Sequence, residues 1–270
     1  MTTTGKALRW NRFLYPGSRF GLIVPIDHGL TMGPIDGLTS VAGMGTWLRH
    51  PRITGIVAHK GVLERLAAQG WLGHKGLMLH LNGMSNMASA PDRKQMLTGV
   101  ETALRLGADG VSLQLNFDGS NDGDNLTSLG ATVDQAQQRG LPVLVMVYDK
   151  VTAADREASV KRIRHLMRIA IELGADAVKI GAPEKDARRE LPLILDGISD
   201  DIAVFVAGGA LRSDEEMLSL TRLARRSGAA GLCVGRNVFQ RAMPEEILTK
   251  LGDILLGSDQ VRRQPVWLHA

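Results

Sequence analysis

Short apolar runs alternate along the chain with longer amphipathic stretches, a pattern typical of repeating β-strand and α-helix units. The apolar runs predict strands at residues 21–26, 53–59, 77–81, 111–115, 142–147, 177–180, 203–207 and 231–234. The stretches with a helical period predict helices at residues 92–106, 132–139, 155–173, 186–195, 213–226 and 244–255, with start signals at Asp92, Asp155 and Ser213. Eight such βα units in succession predict an α/β fold, the (β/α)8 barrel.

No linker, low-complexity segment or change of composition divides the 270-residue chain. We therefore predict an N-terminal extension at residues 1–20, one barrel domain at residues 21–258 and a C-terminal tail at residues 259–270. A doubly wound sheet is the structural alternative. No Gly-x-Gly-x-x-Gly follows the first predicted strand, which disfavours the dinucleotide-binding form of that fold.

Alternation within the predicted strands divides their side chains into two faces. One face carries branched aliphatic residues such as Val111 and Leu113, whereas the other carries polar residues such as Ser112. In a barrel, one face contacts the helices and the other fills the interior. The polar residues collect near the strand C-termini, where barrel enzymes have their active sites. The residues predicted to face this mouth are Asp27, Lys60, His80, Gln114, Asn116, Tyr148 and Lys179.

Lys179 lies in a segment that otherwise reads as a buried strand between small residues, Ala-Asp-Ala-Val-Lys-Ile-Gly. Burial of an unpartnered ammonium costs several kcal/mol, and a lysine avoids that cost by a lowered pKa. We therefore expect a neutral, nucleophilic amine that attacks a carbonyl and forms an imine. Taken alone, the segment also allows a lysine whose ammonium reaches solvent or a carboxylate.

Tyr148 ends the strand before that of Lys179, so the two side chains are predicted to be neighbours. A phenol at this place can move protons during imine chemistry. Lys60, across the mouth, would lower the pKa of Lys179 by repulsion or neutralise an anionic substrate.

Asp27 and His28 offer a carboxylate and an imidazole at the end of the first strand, where a helix cap or a structural pair is the alternative. The polar side chains of His80, Gln114 and Asn116 line the predicted pocket. They either contact substrate or satisfy one another inside the barrel.

Glycine motifs end the last two predicted strands. Gly208 and Gly209 follow the seventh strand, and Gly235 follows the eighth, directly before Arg236. Glycine exposes backbone N–H groups, and the loops after these two strands frequently hold phosphate in barrel enzymes. The guanidinium group of Arg236 can add bidentate, charge-assisted hydrogen bonds to a phosphate. Tight turns are the alternative for either motif alone.

Composition excludes several classes of protein. The net charge is only +4 and no basic run interleaves with aromatic residues, so a nucleic-acid partner is not expected. A single cysteine, Cys233, excludes an internal disulfide, and the histidines lack the compact spacing of a metal site. We find no membrane-length apolar stretch and no signal peptide. We therefore expect a soluble cytoplasmic protein without a metal or other cofactor.

Several motifs together resemble class I aldolases of the archaeal-type fructose-bisphosphate aldolase group, in collinear order over residues 20–245. The group also contains 2-amino-3,7-dideoxy-heptulosonate synthase and the autoinducer-2 degradation thiolase. The resemblance implies a barrel, no metal, phosphorylated ketone and aldehyde substrates, and a homo-oligomer such as a decamer. The motifs are Pro-Ile-Asp-His-Gly at 25–29, Gly-Pro at 33–34, His-Lys-Gly at 59–61, Ala-Val-Lys at 177–179, Ala-Gly-Gly at 207–209, Gly-Ala-Ala-Gly at 228–231 and Val-Gly-Arg-Asn-Val-Phe-Gln at 234–240.

The resemblance also implies roles for individual residues. Lys179 is then the Schiff-base lysine, Tyr148 the acid/base tyrosine and Asp27 a carboxylate that assists proton transfer. The implied phosphate site consists of Gly208, Gly209, Gly235 and Arg236.

The chain departs from the group after the tyrosine, where Asp-Lys-Val at 149–151 replaces the common Pro-Arg-Gly. Because the loop over the pocket differs, the substrate does not follow from the resemblance. We expect an aldolase that uses dihydroxyacetone phosphate or a ketose phosphate, in glycolysis or in a specialised biosynthetic pathway. The alternatives are an acyl-transferring thiolase and a non-catalytic sugar-phosphate binding protein.

Overall fold

The computed structural model describes residues 4–183 and 186–257, and eight parallel strands close a barrel within them. The barrel order is β1-β2-β3-β6-β7-β8-β9-β10, with β10 paired to β1. The prediction of a (β/α)8 barrel is confirmed. The strands are β1 (Gly21–Pro25), β2 (Gly55–Ala58), β3 (Gly76–His80), β4 (Asn82–Gly83), β5 (Gln95–Met96), β6 (Gly110–Phe117), β7 (Val143–Asp149), β8 (Ala177–Gly181), β9 (Ala203–Ala207) and β10 (Gly231–Cys233).

Helices surround the barrel and connect its strands. The predicted start signals at two of them are confirmed, since Asp155 caps its helix by accepting the Ala158 N–H and Ser213 forms a capping box with Glu216. No helix of the described residues is both long and apolar enough to cross a membrane. The helices are α1 (Thr4–Asn11), α2 (His28–Met32), α3 (Gly45–Leu48), α4 (Lys60–Ala68), α5 (Val100–Arg105), α6 (Asp122–Gln138), α7 (Arg156–Glu172), α8 (Ala187–Leu195), α9 (Ile198–Asp201), α10 (Asp214–Arg226), α11 (Arg236–Phe239) and α12 (Pro244–Leu256).

The predicted helix over residues 92–106 is wrong in its first half. Helix α5 begins only at Val100, and the segment before it forms the antiparallel hairpin of β4 and β5. Asp92 caps no helix there, because its carbonyl and its carboxylate accept hydrogen bonds from the side-chain amide of Asn116. A tertiary contact with β6 therefore replaces the local cap that the sequence predicts.

Helix α6 begins ten residues earlier than predicted, at Asp122 rather than at residue 132. Gly123 and Gly130 lower its intrinsic helix propensity, which hides its first turns from the sequence pattern. Buried Leu129 and Val133 stabilise the helix by packing against the barrel.

The two strand faces predicted from alternation enclose two separate apolar cores. The outer face of branched aliphatic residues packs beneath the helices, as Val111 and Leu113 do. The inner face fills the barrel with a smaller cluster. The buried members of the inner cluster are Phe13, Ile23, Val57, Met78, Leu144, Met146, Ala177, Phe205 and Cys233.

The segment before β1 closes the N-terminal end of the barrel. Phe13 is fully buried there, and a Cβ added at Gly55 or Gly76 would lie 2.6 Å from its ring. Glycine at the start of these two strands thus makes room for the phenylalanine. A 2.6 Å ion pair between Lys6 and Asp176 ties α1 to the loop before β8. With this end closed, the barrel interior opens at the opposite end. The predicted tail, residues 259–270, lies outside the described residues.

Candidate active site

Lys179 and Tyr148 meet inside the open end of the barrel, as the sequence predicts. Lys179 is 6% exposed on the inner face of β8, and its Nζ atom lies 3.6 Å from Sδ of Met146, its register partner on β7. Tyr148 lies two residues further along β7 on the same face, and its hydroxyl is a hydrogen-bond partner of Lys179. A buried amine and a phenol are therefore in direct contact.

The site shifts the pKa of Lys179 in the direction opposite to the one predicted. Burial lowers the pKa of Lys179, but negative charge on Tyr148, Cys233 and Asp27 raises it, and the resulting pKa lies above the ordinary value. Phenol and thiol are anionic only at alkaline pH, so Asp27 is the anion of this group that is present at neutral pH. The raised pKa favours an ammonium as the resting form of the side chain, and an ammonium must lose a proton before it can attack a carbonyl.

Asp27 follows β1 and lies between two histidines. Its Oδ1 atom is 3.5 Å from Nδ1 of His28, and its Oδ2 atom is 3.6 Å from Nε2 of His80. His80 comes from the end of β3, and its Nδ1 atom lies 2.8 Å from the hydroxyl of Ser112 on β6. Elements distant in sequence thus surround a single carboxylate.

The electrostatic environment keeps Asp27 ionised and His80 neutral. Burial raises the pKa of Asp27, but positive charge on His80, His28, Lys179 and His59 outweighs burial and lowers this pKa to about 2. Burial lowers the pKa of His80 to about 4, although the charge of Asp27 opposes that shift. At neutral pH the site therefore contains a carboxylate beside uncharged imidazoles.

Lys60 does not point into the barrel, so its predicted placement is wrong. It is exposed as the first residue of α4. Val57 lies on the inner face of β2, and alternation from Val57 directs His59 inward instead. The His59 ring packs edge-on against His80 at 5.2 Å, so the sequence motif does supply one residue to the site.

Gln114 and Asn116 form a polar network next to the mouth. The Gln114 amide donates to the Asn116 side-chain oxygen at 3.0 Å, and Asn116 in turn donates to Asp92. Lys150 forms a 2.8 Å ion pair with the same Asp92. The network fixes the β4–β5 hairpin against β6 and the loop after β7. The sequence left open whether these amides contact substrate or form hydrogen bonds with one another. In the structure they form hydrogen bonds with one another.

Lys94 is a mouth residue that the sequence analysis missed, because its segment was predicted to be helical. It lies beside the β4–β5 hairpin, half-buried, and its Nζ donates to the carbonyl of Pro91 at 2.9 Å. Burial lowers the pKa of Lys94, and the charges of Asp92 and, to a smaller extent, Asp27 raise it, so the ammonium lies within electrostatic range of the site. Among the described residues, no carboxylate comes within ion-pair distance of Lys94.

The loops after β9 and β10 are joined by Asn237, which the sequence analysis also missed. Its side-chain oxygen accepts the N–H of Arg212 at 2.9 Å, and its amide donates to the carbonyl of Ala210 at 2.9 Å. These bonds hold the segment that contains Gly208 and Gly209 against the start of α11. The two predicted glycine motifs are therefore neighbours.

Gly235 lies where the end of β10 approaches β1. A Cβ atom at this position would lie 2.7 Å from the His28 ring and 2.8 Å from the carbonyl of Pro25, so the contact requires glycine. Its own carbonyl accepts the N–H of Val238 and begins α11. Arg236 is half-buried next to it, and its charge adds to burial in lowering the pKa of His28. The Arg236 cation therefore acts on His28 from this side of the mouth.

The assembled site combines an amine, a phenol and a carboxylate in a barrel mouth with cations on two sides. Lys94 lies on the side of β3 and β6, and Arg236 lies on the side of β10 and β1. Over residues 4–183 and 186–257, no three His, Cys, Asp or Glu side chains converge as metal ligands. This arrangement suits covalent chemistry on the carbonyl group of an anionic substrate.

Known proteins resemble the chain over most of its length. The DeoC/LacD family aldolase profile matches residues 21–241. The chain is 30% identical over 255 residues, 94% of this chain and 91% of the relative, to 2-amino-4,5-dihydroxy-6-oxo-7-(phosphonooxy)heptanoate synthase of Streptomyces griseus. It is 32% identical over 254 residues, with 94% and 92% coverage, to 2-amino-3,7-dideoxy-D-threo-hept-6-ulosonate synthase 1 of Archaeoglobus fulgidus. The crystal structure of an archaeal fructose 1,6-bisphosphate aldolase superposes with a TM-score of 0.81 at 24% identity, covering 93% of this chain and 99% of that one.

Proposed function

The chain belongs to the DeoC/LacD family of aldolases, and from this premise we propose that Lys179 forms an imine with a phosphorylated ketone such as dihydroxyacetone phosphate. The observation that carries the proposal is the contact between the buried amine of Lys179 and the phenol of Tyr148. The family assignment favours this chemistry over acyl transfer by a thiolase and over binding without turnover.

The proposed reaction begins with a proton transfer from the Lys179 ammonium. Asp27, which is ionised at neutral pH, is the proton acceptor that we assign to this step. The free amine adds to the ketone carbon and gives a carbinolamine. Tyr148 then donates a proton to the carbinolamine hydroxyl, which leaves as water and completes the imine.

The imine acts as an electron sink for the carbon–carbon bond. Tyr148, left deprotonated by the loss of water, takes a proton from the carbon next to the imine and gives an enamine. This carbon attacks the aldehyde carbonyl, and Tyr148 returns the proton to the resulting alkoxide. Water then hydrolyses the new imine and restores the amine of Lys179. Cleavage follows the same steps in reverse, so the site is suited to both directions.

We assign the phosphate of the ketone to the loops after β9 and β10. Gly208, Gly209 and Gly235 bring backbone N–H groups to this end of the barrel, and Arg236 adds a positive charge. In barrel enzymes the loops after the last two strands frequently bind phosphate.

We assign an anionic group of the aldehyde to Lys94, on the opposite side of the mouth from Arg236. This half-buried ammonium lies within electrostatic range of the site, and Asp92, the carboxylate that acts on it most strongly, is already paired with Lys150, which supports the assignment. The name of the Streptomyces griseus relative describes a product that is both a heptanoate and a phosphonooxy compound, which has an anion at each end. A carboxylate-bearing aldehyde, used in a specialised biosynthetic pathway, is the acceptor that fits best.

We further propose a cytoplasmic homo-oligomer, with a decamer as one form, on the basis of the resemblance noted from the sequence. Light scattering of the purified full chain measures the subunit number directly. A monomeric mass at micromolar concentration would remove the oligomer from the proposal without affecting the chemistry of Lys179.

The test of the function is a product assay with dihydroxyacetone phosphate, aldehydes with and without a carboxylate, and excess chelator. The proposal predicts a new carbon–carbon bond in the product mass, and its loss in Lys179→Ala. Dependence on added coenzyme A, with formation of an acyl-coenzyme A, would support the thiolase instead. Tight binding of the ketone phosphate without any product would support a non-catalytic protein.

A further inference from the structure

We propose that Ser112 and His80 form a positioning relay that directs a single N–H group at Asp27 and so orients this carboxylate toward Lys179. The relay runs through the barrel interior from β6 to β3 and to the end of β1. Neither Ser112 nor His80 is assigned a part in the chemical steps above. The inference deepens the proposed function and rests on it for the role of Asp27.

The tautomer of His80 follows from its two neighbours. The carboxylate of Asp27 is only an acceptor, so Nε2 of His80, 3.6 Å away, faces it with a proton. Nδ1 of a neutral imidazole is then an acceptor, and it receives the hydroxyl proton of Ser112 at 2.8 Å. One hydroxyl thereby selects which ring nitrogen of His80 carries the hydrogen.

Burial makes this arrangement specific. Ser112 is fully buried and His80 is 2% exposed, so solvent does not compete for their hydrogen bonds. The His59 ring packs edge-on against His80 and restricts its rotation. A hydrogen bond between buried groups gains strength from the low local dielectric, so the 2.8 Å contact with Ser112 holds the His80 ring in place.

The relay has a consequence for the reaction. The Oδ1 atom of Asp27 lies 3.5 Å from Nδ1 of His28, which has no hydrogen-bond partner within the described part of the chain, and the Oδ2 atom lies 3.6 Å from Nε2 of His80, so the relay acts on the carboxylate from the His80 side. Its charge also acts on the Lys179 ammonium from within the same mouth. A carboxylate that is free to rotate would take up the Lys179 proton less effectively, because a misplacement of about 1 Å can cost about a hundredfold in rate.

The first test compares His80→Leu with His80→Gln in the aldol assay. Gln keeps an N–H donor and a carbonyl acceptor at this site, whereas Leu keeps neither. We expect kcat to fall by about a hundredfold in His80→Leu with KM changed less than about threefold, and we expect Gln to restore most of kcat. Ser112→Ala should give a smaller loss. Equal kcat in the wild type and His80→Leu, or no rescue by Gln, would overturn the inference.

A control separates positioning from the general cost of removing a buried polar group. Thr221 is fully buried in α10, away from the mouth, and its hydroxyl donates to the carbonyl of Met217. Thr221→Val should lower the unfolding temperature and leave kcat unchanged. A fall in kcat that follows stability in all four variants would contradict the relay.

A second measurement does not depend on activity. Nitrogen-15 NMR of histidine-labelled full-length protein at neutral pH should show His80 as a neutral ring protonated at Nε2, with the signal assigned by its loss in His80→Gln. Ser112→Ala should yield a mixture of tautomers. A ring protonated at Nδ1 would overturn the relay even if no aldol product forms, whereas a missing product with the expected tautomer would count against the proposed function alone.

Discussion

The Nζ atom of Lys179 lies 3.6 Å from the Sδ atom of Met146, on the neighbouring strand of the barrel. Met146 belongs to the apolar cluster that fills the barrel interior, and Phe13 closes that cluster from below. The amine therefore lies on the apolar interior of the barrel, with Tyr148 and Asp27 among the polar side chains that act on it. Lys179 thus lies at the boundary between the apolar interior and the mouth of the barrel. The apolar side chains beneath it keep water away from that side of the amine.

Replacing Tyr148 by Phe removes the hydroxyl and keeps the ring. We expect kcat to fall by about a hundredfold to ten-thousandfold, the usual range for loss of a positioned acid/base group. The KM for the ketone phosphate should change little, since the proposed phosphate site lies on other strands. Steady-state kinetics measure both values, and a kcat within threefold of the wild type would exclude Tyr148 from proton transfer.

Imine formation should accelerate with pH, because the raised pKa of Lys179 leaves it protonated at neutral pH. Below its pKa, each unit of pH increases the fraction of free amine about tenfold. The rate of cyanoborohydride trapping with dihydroxyacetone phosphate should therefore rise from pH 6 to pH 9. A rate that is already constant above pH 7 would show that the amine is neutral, as burial alone would make it.

Replacing Lys94 by Met should weaken the enzyme only toward anionic aldehydes. We expect KM for a carboxylate-bearing aldehyde to rise by about tenfold to a hundredfold, as for a lost charge-assisted hydrogen bond, and KM for a neutral aldehyde to stay the same. Arg93→Met is the matched control, since Arg93 is exposed and pairs with Asp124 instead. An equal loss for both aldehydes would show that Lys94 only supports the hairpin.

Protein stability should fall with acid in a range set by His80. The folded pKa of about 4 lies below the ordinary value of 6.5, so the unfolded chain binds the proton first as pH decreases. The contribution of neutral His80 to the free energy of unfolding is thus complete above pH 6.5. It is lost as the pH falls toward 4, by up to about 3 kcal/mol.

Urea unfolding of His80→Gln between pH 7 and pH 4 measures this contribution. The variant should lose less stability over that range than the wild type, although His28 and His59 still contribute in the same direction because burial lowers the pKa of each. His165→Gln, on the exposed side of α7, should keep the wild-type slope. An unchanged slope in His80→Gln would contradict a buried neutral ring.

The barrel and the inner face of its strands could be predicted from the sequence, because alternation is a local property. Tyr148 and Lys179 follow from this alternation, since consecutive strands are neighbours in a barrel. The same alternation, counted from the inward-facing Val57, directs His59 into the barrel. The prediction that Lys60 faces inward was wrong because the strand was counted in the other register.

Other features depend on contacts between segments that are distant along the chain. The β4–β5 hairpin has only two residues in each strand, and Asn116 from β6 fixes it, so no local period indicates it. The charge of Lys179 likewise depends on Asp27, which follows the first strand of the barrel and is distant from Lys179 along the chain. Burial alone, which is what the sequence indicates, predicted that the pKa of Lys179 would be lowered.

The most direct test of the account is reductive trapping of the full-length protein with dihydroxyacetone phosphate and sodium borohydride, followed by peptide mass spectrometry. We expect one adduct, on Lys179, which is absent from Lys179→Ala. Trapping of Lys94 or Lys60 in place of Lys179, or no adduct on the wild-type protein, would contradict it.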